Sequence, residues 1–333
     1  MRTLYFLVPG TGKPYHCGGL WAELRTLELA QSLGPAALVT YRQREPGHLF
    51  LADLLKQPPA DGIFVVSWGF HVPRLLGRLR AYPVVYHAHS VGYGFRIPPG
   101  VPIVTVSRHS LGYWGQRAPH APIYYLPNVL SDEFTNRHQP RDIDVLILAR
   151  KSSTYLLRQL APQLRQHCRV EVIDWFVPSL ADWFNRSRVY LYDSAAYWAV
   201  QGVSEGFGLQ PLEALACGCY VFSSVNGGLA DYLDPGANCE QIGCYDTGYD
   251  VQRILRVLRE PPPPLPPECL AEYRAPQVRR KLQRIWQALE DFFDYRQQHP
   301  TGDIAPLTPL RLWRQRWQHW GRRARQLLKK WSR

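Results

Sequence analysis

The chain has 333 residues, 46% of them hydrophobic, and a formal net charge of +12. This composition excludes a chain that is disordered as a whole, and the length suits two ordinary domains. The positive charge is concentrated at one end, because seven arginines, two lysines and no acidic residue follow Asp303. Residues 1–303 are nearly neutral, so the body of the protein shows no electrostatic sign of a nucleic-acid partner.

The cysteines and the short apolar runs indicate the cellular compartment in which the protein is expected. The seven cysteines are odd in number and show no C-x-x-C spacing, which favours free thiols in a reducing compartment over a disulfide scaffold or a zinc site. The apolar run Leu4–Val8 is too short for a signal peptide, and no run approaches the ~20 residues of a membrane span. We therefore expect a cytoplasmic protein.

The first half of the chain alternates short apolar runs with helical patterns. Strands are predicted at Leu4–Val8, Ala37–Tyr41, Gly62–Ser67, Pro83–His87 and Ile103–Val106. Leu20–Leu33 has the apolar spacing of a helix. This alternation predicts a mostly parallel, doubly wound sheet, which binds ligands at the carboxyl ends of its strands.

Two features lie at that predicted edge. Gly18 and Gly19 precede the first helix, where a backbone can approach a phosphate, although the spacing is not the G-x-G-x-x-G of dinucleotide oxidoreductases. His87 and His89 share one face of a strand. A metal would require a third ligand, which the sequence does not identify, so we predict none. A flexible loop and structural histidines are the alternatives.

A charged, proline-containing stretch at Asn136–Arg141 marks a domain boundary. The alternation then restarts, with strands predicted at Asp144–Leu148, Val170–Ile173, Val189–Tyr192 and Cys219–Phe222. Arg150 and Lys151 follow the first of these strands directly. Two cations at a strand's carboxyl end can neutralise a diphosphate, and a solvated surface pair is the alternative.

The most informative stretch is VSEGFGLQPLEALACGCYVFSS, residues 203–224. The turn Gly206-Phe207-Gly208 precedes Pro211 in the first turn of a predicted helix, so free backbone N–H groups converge on a point that suits a phosphate. Glu205 lies just before this turn and Glu213 is predicted in the first turn of the helix, and a carboxylate accepts paired hydrogen bonds from vicinal hydroxyls. Together they predict a nucleotide-sugar site; an ordinary helix with acidic residues near its start is the alternative.

This stretch closely resembles the donor-site signature of the family 4 retaining glycosyltransferases (glycosyl transferases group 1), which have the two-domain GT-B fold. The resemblance covers residues 1–295 and implies that Glu205 lies by the donor sugar and that Glu213 binds the ribose. The other donor contacts that it implies are Gly18, Gly19, Arg150, Lys151, Gly206, Phe207, Gly208 and Leu209. The catalytic residues that it implies are Glu205, His89 and Arg150.

The chain departs from the family's pattern in two places. Lys151 is adjacent to Arg150, whereas the family places its lysine several residues further on. A second cleft histidine is replaced by Ser67-Trp68-Gly69, with His71 two residues beyond. These departures motivate an alternative function, that of a non-catalytic, membrane-associated protein that binds nucleotide sugars or glycans on the same scaffold.

The tail combines aromatic and basic residues at helical spacing. Apolar residues recur at steps of three and four: Leu310, Trp313, Trp317, Trp320, Ala324, Leu327, Leu328 and Trp331. Such a helix suits an anionic membrane interface, which we predict for residues 307–331 at the inner face of a membrane. Packing of the helix on its own domain, or binding to a nucleic acid or a protein, are the alternatives.

We therefore predict an α/β protein of GT-B fold, with two doubly wound Rossmann-like domains facing a central cleft and a C-terminal basic amphipathic helix. The acceptor-side domain is predicted at 1–138, the donor domain at 139–295 and the tail at 296–333. The predicted activity is retaining, metal-independent transfer of a hexose-like sugar from a nucleotide-diphosphate donor to a glycan or lipid-linked acceptor. We expect no cofactor requirement and no nucleic-acid partner.

Overall fold

The computed structural model describes residues 1–67, 69–263, 265–305 and 308–331, and the side chains within them up to residue 323. Two parts of the sequence interpretation lie outside the described residues. They are the replacement at Trp68 and the last four apolar side chains of the tail, those of Ala324, Leu327, Leu328 and Trp331. Two parallel sheets organise the rest, as the alternating pattern predicts.

The first half of the chain forms the larger sheet. Its strands are β1 (Thr3–Val8), β2 (Ala36–Thr40), β3 (Leu49–Phe50), β4 (Gly62–Val66), β5 (Val84–Ala88), β6 (Ile103–Thr105) and β7 (Ile123–Tyr125). They pair in parallel in the order β3-β2-β1-β4-β5-β6-β7. β4 and β5 are buried at every position, which explains their continuous apolar sequences. Because the strands run parallel, their carboxyl ends share one edge.

Four helices connect these strands. They are α1 (Gly18–Gln31), α2 (Leu51–Leu54), α3 (Val72–Arg78) and α4 (Arg108–Arg117). α1 begins at the Gly-Gly pair, two residues before its predicted start, and α4 begins with a capping box made by Ser107 and Ser110. The buried face of α1 follows helical spacing through Leu20, Glu23 and Leu27, so an acidic residue points into the core.

The second half forms the smaller sheet. Its strands are β8 (Ile143–Leu148), β9 (Val170–Ile173), β10 (Ser187–Tyr192), β11 (Tyr220–Ser223) and β12 (Cys239–Gln241). Its helices are α5 (Ala161–Leu164), α6 (Leu180–Arg186), α7 (Ala195–Gln201), α8 (Leu209–Ala216) and α9 (Thr247–Arg259). The strands pair in parallel in the order β12-β11-β10-β8-β9.

Three strands were not among the predicted elements. β3, β7 and β12 have only two or three residues each, too few for a periodic pattern, and they exist through pairing with a neighbouring strand. The predicted position of Glu213 in the first turn of its helix is also corrected: α8 begins at Leu209, so Glu213 is its fifth residue.

One helix returns from the second sheet to the first. α10 (Ala275–Gln298) packs its buried residues, among them Trp286, into the same core cluster as Leu4 and Leu27 of the first half. Arg2 at the start of the chain also pairs with Asp294 near the end of α10, at 2.6 Å. The chain therefore crosses back before it ends, and the predicted boundaries at 138 and 295 remain predictions.

The tail forms the last helix, α11 (Pro309–Trp331). Every described side chain from Thr308 to Trp320 is exposed. The helix therefore does not bury its apolar side chains against either sheet along this part of its length. None of the described helices combines the length and the apolar character that crossing a membrane requires.

Candidate active site

A cleft of about 310 Å³ lies between the carboxyl edges of the two sheets. Almost every predicted site residue lines it: Gly18, Gly19, His89, Arg150, Lys151, Glu205, Gly206, Phe207, Gly208 and Leu209. Glu213 is the exception. Two facing sheet edges thus bring together residues that lie far apart in the sequence.

Glu205 is held by three donors. Its Oε2 atom accepts hydrogen bonds from the Tyr192 hydroxyl and from Nε1 of Trp198, each at 2.6 Å. Nζ of Lys151 lies 3.5 Å from Oε1 and 4.5 Å from the centre of the Trp198 ring. The carboxylate is only 4% exposed, so these donors offset its desolvation and fix its orientation. Oε1, with its one long contact, remains able to accept a hydroxyl group.

Lys151 reaches Glu205 through an unusual backbone conformation. Its φ is 71°, in the left-handed region that non-glycine residues rarely adopt. Strain of this kind persists where the surroundings impose it, and it concentrates at functional sites. The turn brings Lys151 into the cleft directly after Arg150, which accounts for the adjacent spacing in the sequence.

The glycine turn brings the two halves of the chain into backbone contact, because a Cβ atom at Gly206 would overlap the carbonyl group of His89. Within the second half, a Cβ atom at Gly228 would overlap the carbonyl of Gly206. Gly208 has a φ of 77° and precedes α8 without a side-chain cap. The first N–H groups of α8 are therefore free to donate to a ligand in the cleft.

The two halves are joined by further hydrogen bonds beside the cleft. The backbone N–H of Ser204 donates to the carbonyl of Val91 at 3.0 Å, and the hydroxyl of Ser90 donates to the carbonyl of Ser204. At the start of α4, Asp231 accepts from the backbone N–H of Arg108 at 2.7 Å. These hydrogen bonds hold the two halves together beside the cleft.

Glu213 is buried and does not line the cleft. Nη1 of Arg25 on α1 lies 3.9 Å from its Oε1 atom. Burial raises the pKa of the Glu213 carboxyl to about 7, although Arg25 opposes the shift. Near neutral pH this group therefore exists in both its ionised and its protonated form.

His89 belongs to a buried cluster that includes a residue missed by sequence reasoning. Oε2 of Glu23 lies 2.6 Å from Nδ1 of His87 and 2.7 Å from Nε2 of His89. A metal site at His87 and His89 would require a third ligand, and the sequence identified none. Glu23 is a residue of the right chemistry at that position. The signal for it was available, since Glu23 lies between Leu20 and Leu27 on the apolar face of α1.

The spacing in this cluster indicates hydrogen bonds. Tetrahedral zinc, with bonds of about 2.0–2.1 Å, holds its ligand atoms about 3.3 Å apart. The separations of 2.6 and 2.7 Å are shorter and match charge-assisted N–H···O bonds.

Sequence reasoning also missed the aromatic side chains that line the cleft: Tyr93, Tyr192, Tyr197 and Trp198. Tyr192 and Trp198 lie at or just after the carboxyl end of β10. That position is the general location of ligands in such sheets, so it was a usable signal.

Residues 110–259 match the family model described as Glycosyl transferases group 1. The predicted resemblance to that family is confirmed over this segment. It contains every predicted site residue of the second half, from Arg150 to Glu213. No curated protein matches the sequence.

Solved structures show the fold. A sucrose-phosphate synthase from Thermosynechococcus elongatus matches with a TM-score of 0.54 at 13% identity, covering 91% of this chain and 100% of that chain. A glycosyltransferase from Rickettsia africae ESF-5 matches with a TM-score of 0.57 at 10% identity, covering 88% and 98%. HepE from Anabaena, in complex with UDP and glucose, matches with a TM-score of 0.57 at 14% identity, covering 90% and 98%. The predicted GT-B arrangement of two parallel-sheet domains is confirmed.

The backbone contact at Gly206 generates the first prediction. Gly206→Ala would place a methyl group against the His89 carbonyl, so the protein should stay folded but be unable to close its cleft. We expect an increased radius of gyration by small-angle X-ray scattering, with an unchanged circular dichroism spectrum. Gly112→Ala on α4, where a Cβ atom meets open space, is the matched control. Identical scattering from both variants would contradict the proposed contact.

Proposed function

We propose that the protein is a glycosyltransferase that moves a sugar from a nucleoside-diphosphate donor to an acceptor, with retention of anomeric configuration and without a metal. The observation that carries the proposal is the placement of Glu205, Arg150 and Lys151 around one cleft, beside the uncapped start of α8. Cations and N–H groups suit a diphosphate, and a carboxylate suits sugar hydroxyls. The match of residues 110–259 and the complex of HepE with UDP-glucose support it.

The reaction would break the bond between the anomeric carbon and the diphosphate oxygen. Arg150, Lys151 and the first N–H groups of α8 would stabilise the negative charge that develops on the leaving diphosphate. A hydroxyl oxygen of the acceptor would form the new bond to the anomeric carbon, and its proton would pass to the departing phosphate. Glu205 and His89 would orient the sugar, and Gly18 and Gly19 would allow the phosphates to approach the backbone.

Ribose recognition is proposed for Glu213. Its carboxylate is close to the start of α8, and an ionised carboxylate can accept hydrogen bonds from two neighbouring hydroxyls. Arg25, which faces Glu213 from the other half of the chain, would favour the ionised form. Closure of the cleft would therefore help to prepare the group for the nucleotide.

The activity is tested by screening nucleotide sugars for release of nucleoside diphosphate. We expect one donor to support release and Glu205→Ala to lower kcat by about 10²–10³-fold, because the orienting carboxylate is lost. The matched control is Glu268→Ala, an exposed glutamate outside the cleft. NMR of the product should show the anomeric configuration of the donor.

Three other outcomes would contradict the proposal or a part of it. A donor that binds without turnover would favour the binding-protein alternative, and release of diphosphate that persists in Glu205→Ala would exclude the role given to that residue. An inverted product would exclude retention.

The raised pKa of Glu213 generates a pH prediction. Only the ionised carboxylate accepts both ribose hydroxyls, and the pKa is about 7. We therefore expect UDP-glucose, which has no group titrating in this range, to bind about tenfold more weakly at about pH 6 than at about pH 8. Calorimetric titration would measure it. Glu213→Gln should bind weakly at both pH values; a pH dependence that survives in this variant would contradict the assignment.

We further propose that α11 attaches the protein to an anionic membrane surface and that the acceptor is lipid-linked. Trp313, Trp317 and Trp320 are 56–67% exposed, although tryptophan is normally buried. The same helix carries arginines and no acidic residue. Aromatic rings and cations on one free helix match the acyl boundary and the anionic headgroups of a bilayer. The exposure of these side chains argues against packing on either domain.

Vesicle flotation tests this attachment. We expect binding to vesicles that contain phosphatidylglycerol but not to pure phosphatidylcholine, and weaker binding at high salt. Replacing Trp313, Trp317 and Trp320 with serine should abolish binding, whereas the control Gln315→Ser with Gln318→Ser on the same helix should not. Binding that is insensitive to the tryptophans, or equal on neutral vesicles, would contradict the membrane role.

A further inference from the structure

Two members of a buried hydrogen-bonded cluster at the edge of the cleft, Glu23 and His87, have no role in the transfer described above. Glu23, on α1, is fully buried and forms hydrogen bonds through a single oxygen to both His87 and His89. His87 is buried as well, whereas His89 lines the cleft. The remaining polar atoms of the three side chains, Oε1 of Glu23, Nε2 of His87 and Nδ1 of His89, have no partner among the described residues.

The direction of these hydrogen bonds follows from the chemistry of the carboxylate. Burial by itself raises the pKa of Glu23, but His87 and His89 outweigh it and lower the pKa to about 2. An ionised carboxylate can only accept, so both histidines must donate to it. His87 therefore carries a proton on Nδ1, and His89 carries one on Nε2. In a neutral His89 ring, Nδ1 is then an acceptor.

We propose that Glu23 is a positioning residue for His89. It holds the ring in the Nε2–H tautomer, with the unprotonated Nδ1 buried, and in the orientation in which the ring lines the cleft. The contact of this ring with a bound sugar rests on the proposed function; the tautomer and its dependence on Glu23 do not. Glu23 and His89 are 66 residues apart and lie on different elements. Their contact therefore exists only in the folded protein.

The charge of Glu23 affects the pKa of His89 in a known direction. Burial lowers the pKa of His89 and His87 lowers it further, whereas Glu23 raises it. The other charged side chains of the second half that line the cleft with His89 include Lys151 and Glu205, and Glu23→Gln leaves both in place. Glu23→Gln removes the negative charge but leaves an amide oxygen that can accept both hydrogen bonds. The pKa of His89 must then fall, so the neutral ring persists to lower pH.

The first experiment is histidine-ring ¹⁵N NMR on the purified full-length protein without any ligand. We expect the Nε2–H tautomer for His89 at neutral pH, and a titration midpoint that moves down by about one unit or more in Glu23→Gln. Glu28→Gln, an exposed glutamate on the same helix, is the control and should leave the midpoint unchanged. The wild-type spectrum suffices if Glu23→Gln does not fold: an Nδ1–H tautomer or an imidazolium at neutral pH would overturn the proposal.

The second experiment measures kcat/KM against pH with the donor identified by the screen. Protonation of Glu213 should lower kcat/KM as pH falls through its pKa of about 7. Protonation of His89 would place a proton on the buried Nδ1, which has no acceptor among the described residues, so activity should fall a second time at lower pH. Glu23→Gln should move only this second acid limb, downwards and by the same amount as the NMR midpoint. Glu23→Asp, which keeps the charge, should retain a limb near that of the wild type. A purely structural role would lower activity without moving the limb.

The two proposals fail in different ways. If no donor is turned over but the NMR midpoint shifts, the transfer function fails and the Glu23 assignment stands. If turnover is present but neither the midpoint nor the limb moves, the Glu23 assignment fails alone. If the purified protein contains one equivalent of a divalent cation and the Glu23→Gln variant contains none, the cluster is a metal site and the Glu23 assignment is overturned.

Discussion

The cleft depends on one close backbone contact, that of Gly206 with the carbonyl group of His89. A side chain at residue 206 would separate the two halves, because neither backbone can move without disturbing a buried strand or the start of α8. The contact places the glycine turn of the second half directly against the histidine of the first. Residues that recognise the two ends of a ligand then belong to different sheets, so closure and assembly of the site are one event.

The charges in the cleft are arranged so that each buried ion has partners. A desolvated carboxylate is costly unless donors replace its water. Glu205 receives donors from Tyr192, Trp198 and Lys151, and Glu23 receives two from histidines. Glu213 pairs, among the described residues, with Arg25 alone at 3.9 Å, and burial raises its pKa. The number and distance of the donors thus distinguish Glu205 and Glu23, each held by short hydrogen bonds, from Glu213, whose carboxyl has a pKa of about 7.

The C-terminal part of the chain serves two purposes. α10 crosses back and buries Trp286 against the first half, which ties the start of the chain to its end. α11 then leaves the globular part with Trp313, Trp317 and Trp320 exposed. A helix that carries so many cations and no acidic residue gains little by packing on a nearly neutral body, whereas an anionic surface complements it.

The sequence by itself determined the alternation of strands and helices, the glycine turn that opens α8, and the charge of the tail, because each depends only on residues that are close together along the chain. It also placed Arg150 and Gly18 at the predicted carboxyl edges and Glu205 beside the glycine turn, and the shared edge of parallel strands made their convergence predictable. Only the tertiary structure decided which residues contact one another. Glu23 contacts histidines 64 and 66 residues away, Lys151 turns into the cleft through a left-handed backbone, and Glu213 is buried without lining the cleft. Periodicity reports which face of an element is buried, but it carries no information on what another element places against that face.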